Sequence, residues 1–116
     1  MAENVVYTLS KKFALRIVKL YRYLREEKSE HVMSKQLYRS GTSIGANLAE
    51  SLFAQSNADY LSKLKIALKE ASETKFWIEL LYESDYINEQ EYLSINNDIS
   101  TIIGTLVNII NKLPKL

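Results

Sequence analysis

Proline occurs once in the chain, at Pro114, and glycine three times, at Gly41, Gly45 and Gly104. Tight turns and strand ends draw on these two residues for their backbone geometry, so almost nothing here punctuates the chain into strands and hairpins. The expectation is an all-α fold. At 116 residues the chain is long enough for one modest core and too short for two, which places a single domain over residues 1–116. With 47% apolar and 25% charged residues it is ordinarily globular.

Hydrophobic spacing divides the chain into four helical segments, at about residues 9–27, 32–55, 57–84 and 89–113. In the first, Leu9, Phe13, Ile17, Leu20 and Leu24 share a face, and Ser10 stands where a cap would start the helix. In the second, Leu37, Ile44, Leu48 and Leu52 point inward, while Gly41, Gly45, Ala46 and Ala49 are small enough to let another helix approach. A third seam runs through Tyr60, Leu64, Ala67, Ala71, Thr74, Ile78 and Leu81. Asn88 with Glu91 three residues on resembles a capping box that opens the fourth helix, whose seam of Tyr92, Ile95, Ile99, Ile102, Leu106, Ile109 and Leu113 ends at Pro114. Four long helices with short connections favour an antiparallel up-down-up-down four-helix bundle.

The chemistry such a bundle can hold is limited. The chain has no cysteine and one histidine, His31, which excludes disulfides, thiolate metal sites and His-pair zinc sites. A di-iron bundle needs two Glu-x-x-His pairs, and residue 28, three before His31, is lysine. Glu50, Glu70 and Glu73 have no nucleophile, phosphate loop or metal cluster beside them, so no enzymatic activity and no cofactor are expected. No segment approaches the roughly 18 apolar residues of a membrane span, and Met1 to Ser10 lacks the pattern of a signal peptide. A cytoplasmic location with no membrane partner is therefore expected.

The net charge of +1 conceals an asymmetry. Nine basic and four acidic residues precede Ser40, net +5, against six and ten after it, net −4. Lys11, Lys12, Arg16, Lys19, Arg22 and Arg25 follow one another with no intervening acid, and Lys35 and Arg39 continue the basic character. Lys12, Arg16, Lys19 and Tyr23 fall on one side of the first helix, with Arg22 adjoining. This stripe suits phosphate neutralisation, with Tyr23 and Tyr21 available to stack on unpaired bases, which makes RNA a candidate partner. The alternative is a solvated face paired with acids elsewhere in the bundle, or a surface that docks a protein partner.

The fourth helix carries a second apolar row, Ile103, Val107 and Ile110, beside its seam. The rest of it is largely uncharged: Asn96, Asn97, Ser100, Thr101, Gly104, Thr105, Asn108 and Asn111. Solvated faces usually carry charge, so this composition fits a helix buried on two sides, either in a homo-oligomer interface or in a broad monomer core.

The least generic stretch is Arg39-Ser40-Gly41-Thr42-Ser43-Ile44-Gly45-Ala46-Asn47-Leu48-Ala49-Glu50. On a helix Arg39, Ser43, Asn47 and Glu50 lie within about 80° of one another, forming either an outward polar face or a hydrogen-bonded layer toward Lys69, Glu70 or Glu73. This stretch, with Gln36-Leu37-Tyr38 before it and Ser56, Asp59-Tyr60, Lys63-Leu64, Ala67-Leu68-Lys69-Glu70-Ala71 and Glu73-Thr74 after it, resembles the four-helix-bundle proteins encoded in intervening sequences of bacterial 23S ribosomal RNA genes. It is similar also to the accessory variability determinant proteins of diversity-generating retroelements. The resemblance implies a non-enzymatic bundle assembled as a homopentameric barrel. In the retroelement branch it further implies a strongly basic protein that binds nucleic acid and a reverse transcriptase, whereas this chain is nearly neutral. Carried over by position, Arg39, Ser40, Ser43, Asn47 and Glu50 are the signature residues, with expected roles in helix packing or assembly.

Overall fold

The apolar repeats of the sequence are realised as α1 (Ala2–Glu26), α2 (Met33–Ser51), α3 (Asn57–Glu83) and α4 (Glu89–Lys112), with no strand among the described residues. The computed structural model describes residues 2–114, with side chains from residue 5 onward, so Met1, Lys115 and Leu116 of the expected domain lie outside the described residues. Each helix packs on its sequence neighbours and α1 closes the ring against α4, with no diagonal pairing among the described residues. The result is an antiparallel four-helix bundle measuring 45 × 21 × 19 Å. The α2–α3 pairing is the most extensive and α1–α4 the thinnest.

The core is a continuous column of aliphatic side chains. Phe13, Ile17 and Leu24 of α1 meet Leu37, Ile44 and Leu48 of α2, Leu64, Ile78 and Leu81 of α3, and Ile99, Ile102 and Leu106 of α4. Each fully buried side chain of this kind stabilises the fold by roughly 1.5–3 kcal/mol. Leu9, Leu20 and Tyr60 pack against this column while keeping part of their surface exposed.

Four expectations are corrected. Helix α1 begins at Ala2, about two turns before Leu9, because Val6 extends the buried face by another turn and joins the core. Ser10 is consequently no cap: it is fully buried inside the helix, with Gly45 of α2 against it. A serine ahead of an apolar run reads as a helix start, yet here its small side chain serves close helix packing. The end of α2 also moves, from Gln55 to Ser51. The Ser51 hydroxyl donates to Leu48 O at 2.6 Å, and the next four residues turn so that Ser56 can cap α3 by accepting from Asp59 N at 3.1 Å. Leu52, expected inward, therefore lies in the turn and is 46% exposed.

The two connections at the other end are closed by left-handed residues. At the end of α3, Asp85 (φ 68°) sits in a Schellman motif: Tyr86 N donates to Leu81 O at 2.9 Å and Asp85 N to Tyr82 O at 3.1 Å. After α1, Ser29 (φ 51°) turns the chain and Glu30 N donates to Leu24 O at 2.9 Å. The expected capping box of α4 is present, with Glu91 N donating to Asn88 Oδ1 at 2.8 Å and Asn88 N to Glu91 Oε1 at 2.9 Å.

Candidate nucleic-acid interface

Because the core face of α1 runs through Phe13, Ile17 and Leu24, helical geometry turns Lys11, Lys12, Lys19 and Arg22 to the opposite side. All four are exposed. Leu15 lies on the same crest, 59% exposed. None of these cations takes part in the ion pairs found among the described residues. Lys35, in the first turn of α2, is exposed as well.

The remaining members of the expected stripe are drawn to the flanks. Arg16 faces α4, where its Nη1 donates to Asp98 Oδ2 at 2.6 Å and its Nη2 to Ser94 Oγ at 3.0 Å. It braces the thinnest seam of the bundle. Tyr23 packs against the core, with the Lys28 ammonium 5.8 Å from its ring centre. Tyr21 faces α2, its ring 4.7 Å from that of Tyr38, with the Arg25 guanidinium 5.2 Å from its centre. The cations are therefore outward, whereas both tyrosines named for base stacking are engaged within the protein.

The signature stretch of α2 faces two ways. Toward α1, Gly41 lies so close to Ile17 that an added Cβ would stand 2.9 Å from Ile17 Cγ1, and Gly45 rests on the Ser10 backbone. Toward α3, Arg39 reaches two carboxylates, Glu70 at 3.2 Å and Glu73 at 2.5 Å, and Trp77 Nε1–H donates to the same Glu73 oxygen at 3.0 Å. The indole and the guanidinium hold the Glu73 pKa below the ordinary glutamate value, and Glu73 raises that of Arg39. Beneath this exposed clamp, the Ser40 and Thr74 hydroxyls share a buried 2.9 Å hydrogen bond, and Thr74 donates to Glu70 O at 2.7 Å. Glu50 accepts from Lys63 at 3.0 Å, which raises the lysine pKa. Ser43 and Asn47 instead bond back to their own helix, at Arg39 O and Ser43 O. Of the two arrangements the spacing allows, Arg39, Ser40 and Glu50 bridge to α3 and Ser43 and Asn47 remain on α2.

The second apolar row of α4 is shared with the monomer's own core. Ile103 and Ile110 pack against it, while Val107 is partly exposed. Asn97, Ser100, Thr101, Gly104, Asn108 and Asn111 are exposed, and Gly104 has open space where a side chain would stand. On α3, Ile66, Phe76 and Leu80 are exposed on the side away from the core, and Phe53 at the α2–α3 turn is 87% exposed.

Besides the Arg16–Asp98 pair, two arrangements escaped the sequence. Lys75 bridges α3 to α4 by donating to Asn96 at 3.1 Å and Ser100 at 3.0 Å. Glu30, nearly buried, caps α2: its carboxylate accepts from Val32 N at 3.1 Å, Met33 N at 3.0 Å and Ser34 N at 2.6 Å. Burial works against this charge, yet the three N–H groups and the Ser34 hydroxyl outweigh it and hold the pKa below the ordinary value. His31 stands exposed in the connection. Among the described residues no group of three His, Cys, Asp or Glu could hold a metal ion, and no helix is long and apolar enough to cross a membrane.

The model of the 23S rRNA-intervening sequence protein family matches residues 2–108, nearly the whole bundle. The chain belongs to this family. A crystal structure of a protein with unknown function from the S23 ribosomal protein family of Bacteroides thetaiotaomicron superposes with a TM-score of 0.95 at 54% sequence identity, covering 97% of this chain and 100% of that one. Among curated proteins none matches. Within the span matched by the 23S rRNA-intervening sequence protein family, Arg39 through Glu50 form the stretch of α2 that grips both α1 and α3.

Proposed function

We propose that this member of the 23S rRNA-intervening sequence protein family is a non-catalytic, homo-oligomeric binding protein of the cytoplasm that engages RNA through the outward face of α1. The observation that carries the reading is the set of exposed cations, Lys11, Lys12, Lys19 and Arg22, free of acidic partners among the described residues. Such a row neutralises phosphates, and its repetition in an oligomer converts modest single-site affinity into avidity. The family resemblance supports a pentamer. The uncharged outer side of α4 around Gly104 and Val107, flanked by Ile103 and Ile110, supports self-association, as do the exposed Ile66, Phe76 and Leu80 of α3.

The test is binding of a structured RNA at low salt, compared with a variant in which Lys12, Lys19 and Arg22 become Glu. Salt-sensitive binding that the variant loses is the expected result; no binding, or binding that the variant retains, refutes it. Arg16 is left intact because it holds α1 to α4. A second reading, a scaffold that docks a protein partner such as a polymerase, is favoured by the exposed Phe53 and Phe76. Copurification after nuclease treatment separates the two: an RNA-bridged partner is lost, and a directly docked one stays.

A further inference from the structure

The outward cations do not form a single line. Around the axis of α1, Lys11 and Arg22 lie on one side of Leu15 and Lys12 and Lys19 on the other, about 80° apart by helical geometry. Along the axis they span about 16 Å from residue 11 to residue 22, at 1.5 Å per residue. The crest between the rows is an exposed apolar side chain with no charge to repel or attract a backbone. No aromatic side chain of α1 stands freely exposed on this face among the described residues. Tyr23 is half-buried against the core with Lys28 over its ring, and Tyr21 is half-buried between Tyr38 and Arg25.

Single-stranded nucleic acid is gripped by stacking bases on exposed aromatics beside a basic groove. A double helix instead presents two phosphate strands on either side of a groove and keeps its bases stacked on one another. In RNA duplexes the accessible groove is wide and shallow and is read through its backbone and shape. Resting on the RNA reading proposed above, we infer that the partner of α1 is double-helical RNA, straddled by the two rows of cations, each row on one phosphate strand, with Leu15 over the groove between them. Recognition of this kind depends on shape and charge and is indifferent to sequence. Of the acids near the site, exposed Glu26 stands on the same crest one turn beyond Arg22, past the end of the cation rows, and Glu91 lines the same α1–α4 groove as Lys19, its carboxylate held by the Asn88 backbone N–H.

The experiment titrates the full chain with a blunt RNA duplex of about 20 base pairs, comfortably longer than the cation rows, and with an unstructured single strand of the same length. The duplex is expected to bind at least about tenfold tighter near 50 mM salt, with log K falling steeply as log salt rises. The double variants K12Q/K19Q and K11Q/R22Q should each reduce that salt slope by about 2, one unit for each lost phosphate contact. Both replace exposed side chains only, so their helical circular dichroism should match the parent. A single strand binding as tightly as the duplex, or one double variant leaving the slope unchanged, overturns the duplex assignment while the broader RNA reading stands; both variants leaving it unchanged overturns both. Binding to neither RNA overturns both.

Discussion

Two side chains at the α1–α2 contact show how closely packing depends on single atoms. A Cβ at Gly41 would lie 2.9 Å from Cγ1 and 3.0 Å from Cγ2 of Ile17, the stiff branch point of a fully buried side chain. Gly41→Ala gains up to about 1 kcal/mol of helix propensity, yet overpacking a filled core costs about 1–3 kcal/mol, so a lower midpoint is expected in chemical denaturation. Ser10 presents the opposite case, a fully buried hydroxyl with no hydrogen-bond partner among the described residues. Ser10→Ala removes that unsatisfied group and should raise stability by about 1 kcal/mol in the same measurement, whereas a loss would show that the hydroxyl has a partner. The closeness at Gly41 was legible because two glycines four apart in a helix ask for a reason. The place of Ser10 was not, since a serine's role as cap or packing residue depends on whether the preceding turn finds a core to bury Val6.

Helix ends carry the pH dependence. The Glu30 pKa lies below its ordinary value in the folded protein, so its contribution is complete above the unfolded-state pKa of about 4.3 and is lost as pH falls through the lower folded value. Glu73, held down by Trp77 and Arg39, acts in the same direction at an exposed site where the energy is small. Thermal unfolding followed from pH 7 into the acid range should therefore show Glu30→Gln to be less stable at neutrality by about 1 kcal/mol, the worth of a helix cap, with the difference narrowing below about pH 4. At the end of α3, Asp85→Gly should stabilise by up to about 1 kcal/mol, because only glycine adopts φ 68° without strain. The Asn88–Glu91 box could be read directly, both partners lying three residues apart in one local motif. The Glu30 cap could not, because the glutamate reaches the amide groups of residues 32–34 only after Ser29 has turned left-handed. The pairing of Arg16 with Asp98 was hidden for a similar reason: the two are 82 positions apart and meet only when the bundle closes.

At the scale of the whole molecule, the proposed assembly depends on what covers the outer sides of α3 and α4. The aliphatic row first marked on α4 is largely engaged at home, through Ile103 and Ile110, so self-association would rest on Val107 and on the exposed, uncharged surface around it. Gly104 offers a clean probe of that surface. It stands exposed in mid-helix with nothing within 4 Å of an added Cβ, so Gly104→Glu introduces no clash in the single bundle and gains about 0.5–1 kcal/mol of helix propensity. Repeated in each copy of a symmetric oligomer, however, the same glutamate would carry its charge into an interface depleted of charge, where desolvation is unfavourable. The expected outcome is a variant whose midpoint in denaturant, measured at a concentration where the parent is monomeric, is equal or higher, but which sediments as a monomer where the parent sediments as an oligomer. A parent that is itself monomeric at micromolar concentration would falsify the assembly. A variant that still assembles would move the interface to the outer side of α3 around Ile66, Phe76 and Leu80, where Phe76→Glu becomes the equivalent test. Either result bears on RNA as well, because a monomeric variant with an intact α1 face keeps the single-site affinity and loses only the avidity of the repeated rows.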